Sequence, residues 1–181
     1  VIAQNYNLNR DYAKADTPEM QAMLALVNAW DPVATIDLHV TDGAKFEHDV
    51  SIQVEPLHAG DDALRAAGLT LRDGTLARLR KHGSLPLPFY PSFVEEDNPA
   101  SGFADGVAPP RFSTGYGDAI GLATVLVENH SLKPYRQRVL GTYVLLEQSI
   151  KALAEHGAAL RAATAADHAR RDAQLTGGWV N

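Results

Sequence analysis

The sequence predicts an α/β protein, with a mixed, mostly parallel central sheet flanked by helices. Two observations carry this. Short runs rich in β-branched and apolar residues, at 31–40, 48–56 and 121–130, have the length and composition of strands. Longer stretches with apolar residues at helical spacing, at 16–30, 61–82 and 132–157, stand around them. Strands alternating with helices mark the α/β class, and ligands in such sheets gather at the carboxyl ends of strands. His39 and Glu128 occupy two such ends.

The elements follow in order. "DTPEMQAMLALVNAW" (16–30) reads as a helix: Asp16 or Thr17 caps it, Pro18 suits the first turn, and Glu19 favours the positive end of the dipole. Met20, Met23, Leu24 and Val27 form a stripe expected in the core. "DPVATIDLHV" (31–40) reads as a turn and a buried strand, and "HDVSIQVEP" (48–56) as a second strand. Residues 61–82 are expected to be helical in two pieces, broken around Gly68 and Gly74. Pro86, Pro88, Pro91, Pro99, Pro109 and Pro110 make 83–118 a long functional loop with a short extended piece near 86–94, or a lid. "GLATVLVENH" (121–130) is an apolar strand with a polar end. The helix over 132–157 places Val139, Tyr143, Leu146, Ile150 and Leu153 on one face. A second, alanine-rich helix is expected over 158–175, followed by the tail "TGGWVN". These divide one domain into a main part, 1–157, and a terminal helix with tail, 158–181.

Composition narrows the function. The 181 residues suffice for one domain with a core, and 45% hydrophobic with 21% charged residues is an ordinary globular balance. A net charge of -6 argues against nucleic acid as a partner, because phosphate binding needs a basic face. No apolar run approaches the roughly 18 residues of a membrane helix. With no cysteine, disulfides, thiolate metal sites and cysteine nucleophiles are all excluded. The chain opens on Val1 without a signal-peptide pattern, so the expectation is a processed or truncated end.

Few residues remain to carry chemistry. There is no G-x-S-x-G, and Gly115, Gly117 and Gly121 miss the dinucleotide spacing and precede a strand instead of following one. Catalytic zinc needs three protein ligands and an open position. None of the seven histidines pairs as H-x-x-x-H or has a glutamate three residues later; His39 has Asp42 there, in a strand-to-loop setting. Alone, His39 is either a structural histidine or a ligand. Glu128 follows the apolar run "LATVLV", where a carboxylate is costly unless paired or functional. It reads either as a general base or as a salt-bridge partner of Lys133, Arg136 or Arg138. Arg10 in "NYNLNRDY" can bind a carboxylate through two parallel hydrogen bonds, with Asn9 beside it, or can be a solvated loop cation.

Taken in order, "NLNRDY" (7–12), "DLHVTDG" (37–43), "PPRFSTGYG" (109–117) and "VENHSLKPYRQRV" (127–139) resemble the zinc carboxypeptidase family, peptidase family M14, in a bacterial branch. The resemblance runs from Asn5 to about Gly157. It implies a zinc-carboxypeptidase-like sheet and zinc-dependent hydrolysis of a peptide bond. It matches His39 to the third zinc ligand and Glu128 to the general base that activates the attacking water. It matches Asn9 and Arg10 to the pair that docks a terminal carboxylate. Tyr116 is the candidate for the mobile tyrosine over the substrate, with shorter spacing to Glu128 than in well-known members, and Arg111 is an alternative cation. Asp37 becomes support for His39 or an edge residue. Many bacterial enzymes of this kind are exported.

One departure stands out: the family's first two ligands come from an upstream H-x-x-E motif, and this chain has none. The chain therefore resembles the C-terminal half of the catalytic domain. Two zinc ligands and several strands are expected upstream of Val1, and that N-terminal half is the expected partner, since a half-sheet exposes unpaired edges. Two other functions remain: a deacylase of N-acyl amino acids with the same site, or a metal-free fragment that binds peptides without activity.

Overall fold

The computed structural model describes residues 5–42 and 44–170. A short 3-10 turn, Leu8–Arg10, leads into helix α1, Pro18–Trp30. Strand β1 is Ala34–Val40, β2 is Val50–Glu55, and helix α2 is Asp62–Lys81. The two-residue strand β3, Pro86–Leu87, precedes a hairpin of β4, Ser92–Glu95, and β5, Asn98–Ala104. Helix α3 is Ser113–Ile120, β6 is Ala123–Asn129, and helix α4 is Tyr135–Ala169.

The main sheet has the order β1-β6-β2-β3. β1 runs parallel to β6, β3 runs parallel to β2, and β2 meets β6 antiparallel. The expected class, α/β with a mixed, mostly parallel sheet and flanking helices, is what the chain forms.

The two faces of this sheet differ in chemistry. Val50, Ile52 and Val54 of β2 lie with Ala123, Val125 and Val127 of β6 in a dry core with α2 and α4 residues such as Leu64, Leu71, Leu79, Leu145 and Leu160. Alternation puts the intervening residues on the opposite face. Register then aligns Asp37, His39, Ser51, Gln53, Glu55, Thr124, Leu126 and Glu128 there. Helix α3 approaches this polar face closely, for a Cβ at Gly117 would stand 2.1 Å from Thr124 Oγ1.

Several expectations need correction. The helix over 61–82 is not broken at its glycines; Asp62–Lys81 is continuous, capped by Asp61. The helices expected at 132–157 and 158–175 are one, so a boundary at 157 falls inside α4; the end of that expected helix and the tail lie outside the described residues. Segment 83–118 is not one loop but carries β3, the hairpin and the start of α3. β1 is an edge strand, half-buried at most, not a buried one. Of the α1 stripe only Met20 is buried. On α4, Val139, Tyr143 and Ile150 are exposed, while Leu145, Gln148, Ser149 and Ala152 face inward.

Candidate active site

Parallel register sets His39 directly beside Glu128, both on the polar face and both at carboxyl strand ends. The pair Thr35 and Thr124, further back along the ladder, shares that face, their hydroxyls 3.1 Å apart. Asp37 lies two residues before His39 and so on the same face. Its Oδ1 is 2.9 Å from His39 Nε2. Asp37 is thereby a support for the imidazole, one of the two roles open to it.

These contacts set the protonation states. The hydrogen bond that His39 donates to Asp37 raises the His39 pKa above its ordinary value; the Asp37 and Glu128 charges add to this, against burial and Arg10. Burial pushes Asp37 upward, but the His39 and Ser113 contacts together outweigh it and the net shift is downward. Burial pushes Glu128 up to about 7; His39 opposes this, and Asp42 and Asp37 reinforce it. Glu128 is 5% exposed, and its Oε2 has no hydrogen-bond partner among the described residues. It makes no ion pair with Lys133, Arg136 or Arg138; Lys133 Nζ instead donates to the Glu47 carbonyl at 2.7 Å. The salt-bridge reading of Glu128 therefore fails.

Arg10 is held by its own segment. Its guanidinium lies 4.0 Å from the Phe112 ring centroid and donates to the Asn9 carbonyl at 2.6 Å. It has no carboxylate partner among the described residues, yet its charge is felt by His39. Arg111 stands 5.0 Å from the same ring. Asn9 Oδ1 accepts the Ser113 N–H at 2.8 Å, which ties the Asn-Arg segment to the start of α3. Asn9 thus positions the segment, and only its amide nitrogen remains for a ligand.

Tyr116 packs its ring on Tyr12, with centroids 5.6 Å apart, and lines two cavities, one of about 290 Å³ with Val27 and Ile120 and one of about 70 Å³ with Asp37 and Ser113. A second phenol, which feels the charges of Glu128 and Arg10, is Tyr90, between β3 and β4, which sequence reasoning missed. Burial raises its pKa, as do the charges of Glu128 and Asp42, while Arg10 lowers it. Tyr90 lines a cavity of about 680 Å³ with Thr41, Asp42, Phe46 and Phe93. Stacked Phe93 and Phe103 and the Phe89–Phe103 contact hold that wall together.

Among the described residues, the set of three donor side chains close enough for one ion is Glu55, His58 and Asp118, not a set around His39. No family model, curated protein or solved structure matches the chain. No helix among the described residues is long and apolar enough to cross a membrane.

Proposed function

We propose that the chain is the carboxyl-terminal part of a zinc-dependent hydrolase of the carboxypeptidase type, acting on a peptide or another carboxylate-bearing substrate. The observation that carries this is Glu128, a buried carboxylate with an unpartnered oxygen, in register with an imidazole already oriented by Asp37. That arrangement suits a metal ligand: one ring nitrogen is held by a carboxylate and the other is left for the ion. With Nε2 on Asp37, Nδ1 is the nitrogen His39 would offer zinc. A bound zinc would supply Lewis acidity toward water and the scissile carbonyl.

The other steps belong to this chain. Glu128 accepts a proton from the attacking water at Oε2 and passes it to the leaving amine. A carboxyl near pH 7 is suited to both transfers. Arg10, held flat on Phe112 and free of other carboxylates, binds the substrate's carboxylate. Tyr90 and the aromatic wall around it close one side of the cleft. One His39 ligand is too few for catalytic zinc, so the other two come from the partner half of the domain.

The test is Glu128→Gln in the protein that carries all three ligands. Zinc content should stay near that of the parent while kcat falls by about 100-fold or more. Near-normal turnover would sink the assignment. Assaying a peptide against an N-acyl amino acid separates the two substrate classes that Arg10 serves.

A further inference from the structure

The polar face has a second cluster at its other end. Glu55 closes β2, His58 lies in the loop that follows, and Asp118 is on α3. One ligand atom from each lies within 4.8 Å of the other two. His58 Nδ1 is 3.1 Å from both carboxylate oxygens of Glu55. Two donors bound to one ion at about 2.1 Å stand roughly 3.0–3.4 Å apart in octahedral or tetrahedral geometry. The observed spacing is that of a hydrogen bond, and it also fits two ligands of a common ion without rearrangement.

The carboxylates are held in place by the backbone. Leu57 N–H donates to Glu55 Oε2 at 2.7 Å. His58 and Ala59 N–H both donate to Asp118 Oδ1, at 3.2 and 3.0 Å. Glu55 is 1% exposed and Asp118 7%, so two carboxyl groups confront each other out of water. Their one basic partner in the cluster is an imidazole whose side chain is 45% exposed. A cation would relieve that crowding. A cavity of about 310 Å³, lined by Glu55, His58, Gln53 and Arg72, opens onto the cluster and leaves room for water ligands.

We propose that Glu55, His58 and Asp118 form a divalent transition-metal site separate from the His39 site. One imidazole and two carboxylates, with remaining positions filled by water, suit Zn(II) or Mn(II). In the β2/β6 ladder Glu55 pairs with Thr124, and Ser51 pairs with Glu128. Four residues of strand, at about 3.3 Å each, separate the two sites by roughly 13 Å. The ion would fasten β2, its following loop and α3 together. Helix α3 begins at Ser113, to which Asn9 is bonded, so the clamp also steadies the Asn9–Arg10 segment.

The experiment uses the full 181-residue chain carrying His39→Ala, which removes the first site. After dialysis against Zn(II), and separately Mn(II), metal per chain is measured by elemental analysis and affinity by titration. The expected result is about one equivalent held by His39→Ala, with affinity at least about tenfold weaker after adding His58→Gln or Asp118→Asn. The His58 side chain is half-exposed, and the carboxamide that Asp118→Asn introduces keeps an oxygen for the two backbone N–H groups, so both variants should fold. Zinc should raise the thermal midpoint of His39→Ala and leave that of His39→Ala/His58→Gln unmoved. No saturable binding by His39→Ala, or unchanged affinity after His58→Gln, overturns the proposal. Turnover is not read, so failure of the hydrolase reading leaves the result standing.

Discussion

Glu128 carries a cost that can be measured. Its folded-state pKa is raised from 4.5 to about 7, so the folded state binds the proton more tightly than the unfolded chain. Stability then falls as pH rises between those values; the penalty is absent below about 4.5 and complete above about 7. Glu128→Gln should therefore stabilise the chain at pH 8 by on the order of 1–3 kcal/mol, and by little at pH 4. Denaturant titration at both values checks this, and equal effects would mean the carboxylate is not desolvated. The His39 imidazole, also raised, gives a slope of the same sign, but there the charged form stabilises the fold. The raised imidazole contributes stability below its unfolded value near 6.5 and loses it as pH passes the folded one. Asp37→Asn should lower the His39 titration midpoint, visible in its ring proton shifts; an unmoved midpoint would show that Asp37 does not hold the imidazole. His39 and Glu128 were legible because a polar residue closing an apolar run marks a strand end. Tyr90 was not, because its place depends on β3 pairing with β2 over only two residue pairs, and on the Phe89–Phe103 contact.

At the scale of elements, periodicity found the helices and misjudged their interruptions and faces. Gly68 and Gly74 lower helix propensity, which suggests a break. The structure keeps α2 whole, and the two glycines differ in reason. A Cβ at Gly68 would lie 2.0 Å from the Pro56 carbonyl oxygen, so this glycine lets the helix press against the loop after β2. A Cβ at Gly74 meets nothing closer than His156 Nε2 at 3.9 Å. Gly68→Ala should cost about 1–3 kcal/mol, since the obstacle is backbone. Gly74→Ala should gain about 0.5–1 kcal/mol from the restricted unfolded chain. Thermal unfolding of the two variants checks both signs; a stabilised Gly68→Ala would contradict the close approach. Helix α4 shows the other limit. Its stripe of Val139, Tyr143 and Ile150 was legible as amphipathic, yet nothing in a single sequence says which face is covered. The buried face includes Gln148 and Ser149, polar residues that a hydrophobic pattern assigns to solvent.

For the molecule as a whole, the uncovered edge next to the candidate site is that of β1. β1 pairs only with β6 among the described residues, so its other edge offers free backbone groups. Leu38 and Val40 of β1 are 47% and 48% exposed. They alternate with His39 and so lie on the opposite face of the sheet, the one that carries the dry core. A bare edge strand with apolar neighbours is a template for further strands. The proposed partner, the rest of the hydrolase domain, would extend the sheet beside β1 and bring its two ligands toward His39. The prediction is a difference in amide hydrogen exchange. In the 181-residue chain alone, amides on the open side of β1 should exchange rapidly while those of β6, bonded on both sides, stay protected. When an upstream H-x-x-E segment is present, β1 should gain protection of about tenfold or more, and Leu38→Lys should weaken that association. If β1 is already as protected as β6 in the isolated chain at low concentration, the edge is satisfied some other way and the partner reading fails. If the upstream segment binds but leaves β1 exchanging freely, it docks elsewhere, and the two missing ligands cannot arrive across this edge.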